Sequence, residues 1–272
     1  MNLSKAFDYY SREEVKKFIS DFSRDREVAG MFRSGNFSQR PNVILYPNDV
    51  TAMVKSGMVE FHGSLERWSQ PMSLGEGNYS SLRKGWDLIL DLDCSLFEHG
   101  KIAAEAFMWA LRKHDIKGAS IKFTGGTGFH IGVPWESMPK KIDYKASEGL
   151  YPELPRKIIS YLKDFTAEKF ERMLYKKYSE EELAQQVNKP LGKIVNEEGI
   201  NVYEIVEIDP VLISPRHLFR LPYSINKKTG LVSLPLIPKK VSDFEREGAR
   251  PHKIKVEEGQ ERWKYRQKSK KL

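Results

Sequence analysis

Three short stretches, far apart in the chain, carry residue types that could together bind metal ions and phosphate. The first contains Asp91 and Asp93, at the end of the largely apolar run 86–90. The second, 124–130, reads Thr-Gly-Gly-Thr-Gly-Phe-His, and the third ends at Asp209 after an apolar stretch. Three carboxylates, a glycine turn and a histidine are what a nucleotidyltransferase needs to hold two metal ions and a triphosphate.

The spacing of Asp91 and Asp93 places both carboxylates on one face of a strand, because side chains two residues apart point the same way. Two like charges so close are unfavourable unless a cation lies between them. Mg²⁺ prefers such oxygen ligands, and Asp209 could face the pair from a neighbouring strand. The alternative is a solvent-facing aspartate pair. Glu207 is a further candidate ligand, although a surface position is the more ordinary expectation for it.

The glycine turn predicts close approach of the backbone to phosphate. Gly125, Gly126 and Gly128 allow conformations closed to other residues, so that their amides can form an anion nest. Thr124 adds a hydroxyl, and His130 could donate to a triphosphate. The alternative is a β-hairpin turn with a histidine packed on a sheet. The stretch is neither a Walker A loop nor a dinucleotide fingerprint, because no helix is predicted to open on it.

A basic cluster follows the third acidic residue. Its members are Arg216, His217, Arg220, Lys227 and Lys228. Arginine suits bidentate contact with phosphate, and the intervening 221–224 stretch is a candidate for contact with a ribose or base. A basic hairpin on the protein surface, with no binding role, is an equally good interpretation of this segment.

Composition favours a polyanionic partner. The chain has 272 residues, a net charge of +8 and an isoelectric point of about 9.3. Each lysine or arginine that neutralises a phosphate releases counterions, so nucleic acid is favoured over a merely solvated basic surface. The single cysteine, Cys94, excludes a disulfide framework and a cysteine-based zinc site. A cytoplasmic location is expected, and no apolar run is long enough to predict a membrane span.

Periodicity and turn residues predict alternating helices and strands. The predicted helices are 11–25, beginning at the Ser11 cap, 101–114 and 155–188, the last with a helix start near Ser179. The predicted strands and extended segments are 42–46, 86–93, 119–123, 129–133, 201–209, 217–222 and 230–236. Each candidate site residue then lies at the edge of a strand in a mixed α/β fold.

Three stretches resemble the motifs of the archaeo-eukaryotic primase superfamily, and are most similar to the catalytic small subunit of archaeal and eukaryotic DNA primase. These stretches are 86–93, 123–130 and 208–230. The most specific part is 217–230, which is similar to the family's basic-Leu-Pro-x-Ser-x-His-x-Lys-Thr-Gly signature. The resemblance extends from about residue 6 to 240 and includes Arg40.

The resemblance implies roles for individual residues. The metal-binding and catalytic triad would be Asp91, Asp93 and Asp209, with Mg²⁺ or Mn²⁺ in a two-metal site. The nucleotide-binding residues would be Thr124, Gly125, His130, Arg220, Asn226 and Arg40. The sequence departs from the family pattern at Gly126 and Thr127, where many relatives have arginines, and it lacks the family's zinc knuckle, so no zinc is expected.

The resemblance also implies a fold and a function. The fold would be a mixed α/β primase core over residues 1–256, with an RRM-like sheet and an N-terminal α/β unit, followed by a basic tail at 257–272. The function would be DNA-directed primer synthesis, with a single-stranded DNA template, NTPs or dNTPs and a primase large subunit as partners. Two alternatives stay open: a stand-alone primase-polymerase of repair or end joining, and a non-catalytic nucleic-acid-binding homologue.

Overall fold

The computed structural model describes residues 2–197, 199–208, 210 and 213–256. Asp209 and the basic segment 257–272 lie outside the described residues. In chain order the helices are α1 (Leu3–Tyr10), α2 (Glu13–Phe22), α3 (Pro47–Lys55), α4 (Tyr79–Leu82), α5 (Phe97–Lys113), α6 (Glu153–Tyr175), α7 (Glu180–Val187) and α8 (Leu191–Ile194). No helix among these residues is long and apolar enough to cross a membrane.

The strands are short and their pairings are all antiparallel. In chain order they are β1 (Val28–Phe32), β2 (Met58–Ser64), β3 (Glu66–Trp68), β4 (Arg83–Trp86), β5 (Leu88–Cys94), β6 (Ser120–Phe123), β7 (Phe129–Val133), β8 (Lys141–Ile142), β9 (Lys145–Ala146), β10 (Val195–Asn196), β11 (Gly199–Ile200), β12 (Val206–Glu207), β13 (Leu218–Arg220) and β14 (Pro235–Leu236).

A five-stranded sheet in the order β12-β5-β7-β6-β14 carries the first two motifs. Its two faces differ because side chains alternate along each strand. Leu90, Leu92 and Cys94 are buried, whereas the intervening Asp91 and Asp93 are exposed. Helix α5 covers the apolar face: a Cβ added at Gly100 would lie 2.6 Å from the sulfur of Cys94. The carboxylates therefore point away from α5.

A second, three-stranded sheet in the order β1-β2-β13 completes the N-terminal unit together with α1, α2 and α3. Strand β13 comes from the basic cluster that follows the third motif, yet it pairs with β2, where Arg220 is the partner of His62. The N-terminal unit therefore takes one strand from the C-terminal part of the chain, which fixes the two units against each other.

Buried tyrosines of the N-terminal helices form hydrogen bonds with the segment after β13. The hydroxyl of Tyr9 donates to the carbonyl of Tyr223 (3.0 Å), and that of Tyr10 donates to the carbonyl of Val59 (3.0 Å). Tyr10 also accepts a hydrogen bond from the Ile225 amide (2.8 Å). Because these groups are buried, each hydrogen bond satisfies a polar atom that would otherwise be costly to desolvate.

Most sequence-predicted elements are present, with corrections. The 155–188 region is helical but divides into α6 and α7, and Ser179 caps α7 by accepting from the Glu182 amide. Ser11 was wrongly predicted as a helix cap: it ends α1, and α2 begins after Arg12. The predicted strand 42–46 has no regular structure. The predicted strand 201–209 is mostly a 3₁₀ turn, with pairing only at β12, because short apolar runs do not distinguish strands from packed loops.

Candidate active site

Asp91, His130 and Lys122 form a row across three neighbouring strands of the larger sheet. The register pairs Asp91 with His130 and His130 with Lys122, so all three side chains share the face opposite α5. Nε2 of His130 lies 3.2 Å from Oδ1 of Asp91, and Nζ of Lys122 donates to the Ser233 hydroxyl (2.7 Å). The structure thus brings together the first motif and the end of the glycine-rich motif, as the sequence predicts.

A second acidic pair lies next to that row. Glu207 on β12 is the direct register partner of Asp93 on β5. Asp91, Asp93 and Glu207 line a cleft of about 110 Å³, which also takes in His217 and Phe219. The sequence favoured a surface position for Glu207. The structure instead places this residue beside the other carboxylates of the cleft.

Burial and neighbouring charges shift the pKa values of the ionisable side chains at this site. Burial and the positive charge of Lys122 lower the pKa of His130 to about 4, so its imidazole is neutral near pH 7. Partial loss of solvent in the cleft opposes ionisation of Asp91, but the contact with His130 and the charge of Lys122 outweigh it and lower the pKa of this carboxylate. Burial and the charge of Asp91 raise the pKa of Asp93.

The donor set at the cleft fits a hard divalent cation. Carboxylate oxygens are the ligands that Mg²⁺ and Mn²⁺ prefer, and the Asp91 side chain is 58% exposed and so accessible to an ion. Burial, and then repulsion from Asp91, raise the pKa of Asp93, and a bound cation would relieve the repulsion. Within the described ranges no group of three or more acidic, histidine or cysteine side chains has metal-binding geometry. Asp209, the third predicted ligand, lies outside those ranges.

The glycine turn lies directly on the end of β5 and on the segment after β13. A Cβ added at Gly128 would lie 2.3 Å from the Leu92 carbonyl oxygen, so only glycine fits there. The Thr127 hydroxyl donates to the carbonyl of Cys94, and Gly126 donates to the hydroxyl of Thr124 (3.3 Å). The turn is therefore a fixed structure beside the carboxylates.

Gly125 and Gly126 provide a matched test of this packing. Gly125 has φ +85°, and an added Cβ would lie 2.9 Å from Cβ of Asn226. An added Cβ at Gly126 meets nothing closer than 3.6 Å, and its φ is not positive. We expect Gly125→Ala to lower the free energy of unfolding by about 2 kcal/mol or more, and Gly126→Ala to be neutral within about 0.5 kcal/mol.

Urea unfolding of the two glycine variants beside the parent chain measures this difference. Equal stabilities would contradict the described position of the turn against Asn226.

Arg220 is fixed between an acidic side chain and the glycine turn. Its Nη2 and Nε donate to Oε1 of Glu60 (2.6 and 2.9 Å), and Nη1 donates to the Thr124 carbonyl (2.9 Å). Glu60 is 1% exposed and also accepts from His62 and from the backbone amide of Lys227. Glu60 therefore determines where the predicted phosphate-binding arginine lies.

The stability contributed by Glu60 should depend on pH with a defined sign. Burial opposes ionisation, but the hydrogen bond from His62 and the charge of Arg220 lower the pKa of Glu60 to about 2. A lowered folded-state pKa gives stability that is present above the unfolded value, about 4.3, and is lost as the pH falls toward 2. We expect the destabilisation by Glu60→Gln to be largest above pH 5 and to shrink by about 3 kcal/mol near pH 2.

Chemical denaturation at several pH values tests the Glu60 prediction. The exposed Glu76→Gln variant is the control and should differ little from the parent at any pH. A stability gap for Glu60→Gln that stays constant from pH 7 to pH 2 would contradict the prediction.

Arg40 and Asn226 occupy structural positions near the site. Arg40 donates to both carboxylate oxygens of the buried Glu27 (2.9 and 2.8 Å) and to the carbonyl of Arg216 (2.7 Å). Arg216 pairs with the same carboxylate and precedes His217, which lines the cleft. Asn226 packs against the glycine turn and accepts from the Lys228 amide (2.9 Å). Arg40 is therefore connected to the cleft through Arg216, and Asn226 is connected to it through the glycine turn.

Sequence reasoning missed several residues and misplaced one segment. The 221–224 stretch was a candidate for sugar or base contact, but Leu221, Tyr223 and Ser224 are fully buried, and Ser224 accepts from the Phe61 amide. Glu60 was not singled out, although an acidic residue within the apolar 58–61 run signals a buried ion pair. His217 was placed in the basic cluster, and only the structure places it at the cleft.

The chain is related in sequence to archaeal DNA primase small subunits, which confirms the resemblance. It is 30% identical over 190 residues to the DNA primase small subunit of Pyrobaculum arsenaticum, covering 60% of this chain and 56% of that protein. The corresponding protein of Pyrobaculum calidifontis is 29% identical over 194 residues, covering 61% and 57%. The alignments thus span little more than half the length of these relatives. No protein-family model matches the chain.

A solved structure shares the fold. The polymerase domain of ligase D from Mycobacterium tuberculosis, in complex with DNA, superposes with a TM-score of 0.55 and covers 89% of this chain and 83% of that domain. The sequence identity is 15%, so this likeness concerns the fold alone. It confirms the mixed α/β architecture that the motifs predicted.

Proposed function

We propose that this protein makes primers on a single-stranded DNA template by metal-dependent nucleotidyl transfer. The observation that carries the proposal is the in-register row of Asp91, His130 and Lys122 beside the Asp93–Glu207 pair, on the face of the sheet opposite α5. Relatives named DNA primase small subunit support it independently. The net charge of +8 suits a polyanionic template.

The proposed role of each residue in metal binding and phosphate binding follows from its position. Asp91 and Asp93, with Asp209 by family analogy, would hold the divalent ions. When bound, two such ions would lower the pKa of the attacking 3′-hydroxyl and neutralise charge on the triphosphate and leaving pyrophosphate. His130 is 5% exposed and contacts Asp91, so we assign it to positioning that carboxylate in addition to the phosphate contact implied by the family.

The incoming nucleotide would lie between the carboxylates and the glycine turn. Thr124, Gly125 and Arg220 form one connected unit there, because Arg220 donates to the Thr124 carbonyl. Catalysis at such a site is mainly positioning and charge stabilisation, so a unit with fixed geometry suits it. NTPs or dNTPs are the proposed substrates, and a primase large subunit is a proposed partner, as the family resemblance implies.

Nucleotide incorporation on three DNA substrates tests the proposal. The full chain is incubated with Mg²⁺ or Mn²⁺ and labelled nucleotides on an unprimed single strand, on a primed template and on a gapped duplex with a 5′-phosphate. Products on the unprimed strand that disappear with EDTA are the expected result. Absence of incorporation on all three substrates would contradict the proposal and favour the non-catalytic homologue.

A repair polymerase is the second candidate. The observation that favours it is the shared fold with the polymerase domain of ligase D, over 89% of this chain. Such an enzyme would prefer the gapped duplex with a 5′-phosphate and would leave the unprimed strand unextended. The ratio of products on the two substrates therefore separates the candidates.

A further inference from the structure

A groove lies between α5 and α6 and extends to the segments 116–119 and 238–239 beside the edge of the larger sheet. Its volume is about 880 Å³. The floor contains apolar side chains, including Met108, Trp109, Ile116 and Met173. The carboxylates of the candidate active site lie on the opposite face of the sheet. We call this the α5–α6 groove, and none of its lining residues takes part in the proposed reaction.

A stacked row of aromatic side chains extends the apolar floor of the groove. Trp109 stacks on Phe165 with ring centroids 5.6 Å apart and planes 20° apart, and Phe165 stacks on Tyr161 at 6.0 Å and 24°. Tyr161 is 53% exposed and Phe165 is 37% exposed. Floor and row together form a continuous apolar strip that leaves large side chains in water, which is a feature of interaction surfaces.

The rim of the groove is strongly basic. Its cations are Arg112, Lys117, Lys169, Lys176, Lys177 and Lys239, whereas Glu105 is the one acidic residue among the lining side chains of the described chain. Lys117 is paired with Asp115 (2.7 Å), but no described carboxylate pairs with Lys169, Lys176 or Lys177. An occupant with negative charges flanking an apolar stripe would complement both rim and floor.

The geometry points to a protein segment as that occupant. Phe165 lies between the rings of Trp109 and Tyr161, and Lys113 and Lys169 lie over Trp109 at 5.9 and 5.6 Å. Bases of a single strand need open ring faces for stacking, so these side chains offer them little. Methionines on the floor adapt to varied apolar side chains, as in grooves that take up helices.

We propose that the α5–α6 groove binds an acidic amphipathic helix of a partner protein. The chain's own residues 257–272 are an unsuitable occupant, because their six lysines and arginines outnumber three glutamates. An acidic helix would place apolar side chains at i, i+3 and i+4 on Met108, Met173 and Trp109 and carboxylates on the lysines of the rim. Binding there leaves the candidate active site open to DNA.

Fluorescence anisotropy with a synthetic peptide tests the groove. The probe is a labelled amphipathic peptide of about 16 residues, a helix about 24 Å long, with leucines at i, i+3 and i+4 and glutamates elsewhere. The full chain should bind this peptide at least about tenfold more tightly than a scrambled peptide of the same composition. The double variant Lys169→Glu/Lys176→Glu should lose at least about tenfold in affinity.

The control has the same change in charge at another place. Lys141→Glu/Lys145→Glu alters two exposed lysines of the β8–β9 hairpin and should bind the peptide like the parent chain. Equal losses in the two double variants, or equal binding of the scrambled peptide, would overturn the proposal. So would displacement of the peptide by a thymidine oligonucleotide whose own binding depends on Lys169 and Lys176. Primer synthesis is not a readout here, so either proposal can fail alone.

Discussion

Asp91→Ala is expected to reduce nucleotide incorporation by about a thousandfold or more, which corresponds to about 4 kcal/mol of transition-state stabilisation. The physical reason is that Asp91 is an exposed carboxylate that lines the cleft and contacts His130 at 3.2 Å. Without it, a divalent ion would lose an oxygen ligand from the fixed sheet. Steady-state extension of a primed template in Mg²⁺ measures the loss, and Asp93→Ala should show the same direction.

Folding and DNA binding should survive the Asp91 substitution. The side chain is 58% exposed, but its removal takes the Asp91 contact from the buried His130, so the free energy of unfolding should fall by about 1 kcal/mol, which leaves the protein folded. Affinity for a single strand should be unchanged or slightly higher, because phosphate contacts come from basic residues. The exposed Asp243→Ala is the matched control and should retain full activity. Normal extension by both Asp91→Ala and Asp93→Ala would show that the site is elsewhere.

Asp87→Ala should cause the largest loss of stability, about 3–5 kcal/mol. Asp87 is 5% exposed, pairs with the fully buried Arg26, and accepts from Arg67 (3.0 Å) and from the Trp135 amide (2.9 Å). Its removal leaves the Arg26 charge buried without the partner carboxylate. The cost is mainly that of an uncompensated buried charge, which exceeds the net contribution of the intact pair.

Denaturant unfolding followed by tryptophan fluorescence suits this measurement, because Trp86 and Trp135 lie close to Asp87 in the fold. The control is Glu168→Ala, which removes an exposed i, i+4 pair with Arg172 and should cost about 0.5 kcal/mol or less. Asp87→Asn, which keeps the shape but loses the charge, should be intermediate and provides a measurement if the alanine variant does not fold. A loss below about 1 kcal/mol for Asp87→Ala would contradict the assigned role.

Asp87 also links the stability of the fold to the position of the carboxylates of the candidate active site. It stands one residue before β5, and its contacts with Arg67 and the Trp135 amide fix the beginning of the strand that carries Asp91 and Asp93. Partial loss of this anchor should therefore lower activity in a variant that still folds. Asp87→Asn should accordingly show reduced incorporation at a temperature where its fold is intact by circular dichroism.

The sequence alone determined the local features of the site. Alternation along β5 required Asp91 and Asp93 to share one face, and the glycines of 124–130 required a tight turn before β7. Both are properties of a few neighbouring residues. The family resemblance and the mixed α/β fold were also available from the sequence, because they depend on the order of motifs along the chain.

Only the tertiary structure decided which distant residues meet. Register between strands sets Asp91 beside His130 and Glu207 beside Asp93, and a shift of one residue would turn these side chains to the other face. The pairing of Arg220 with Glu60 likewise depends on β13 joining β2 across 160 residues of chain. Local periodicity determines which face of a strand or helix a residue occupies. Its partners depend instead on the packing of the whole core and on the cost of leaving a buried charge unpaired.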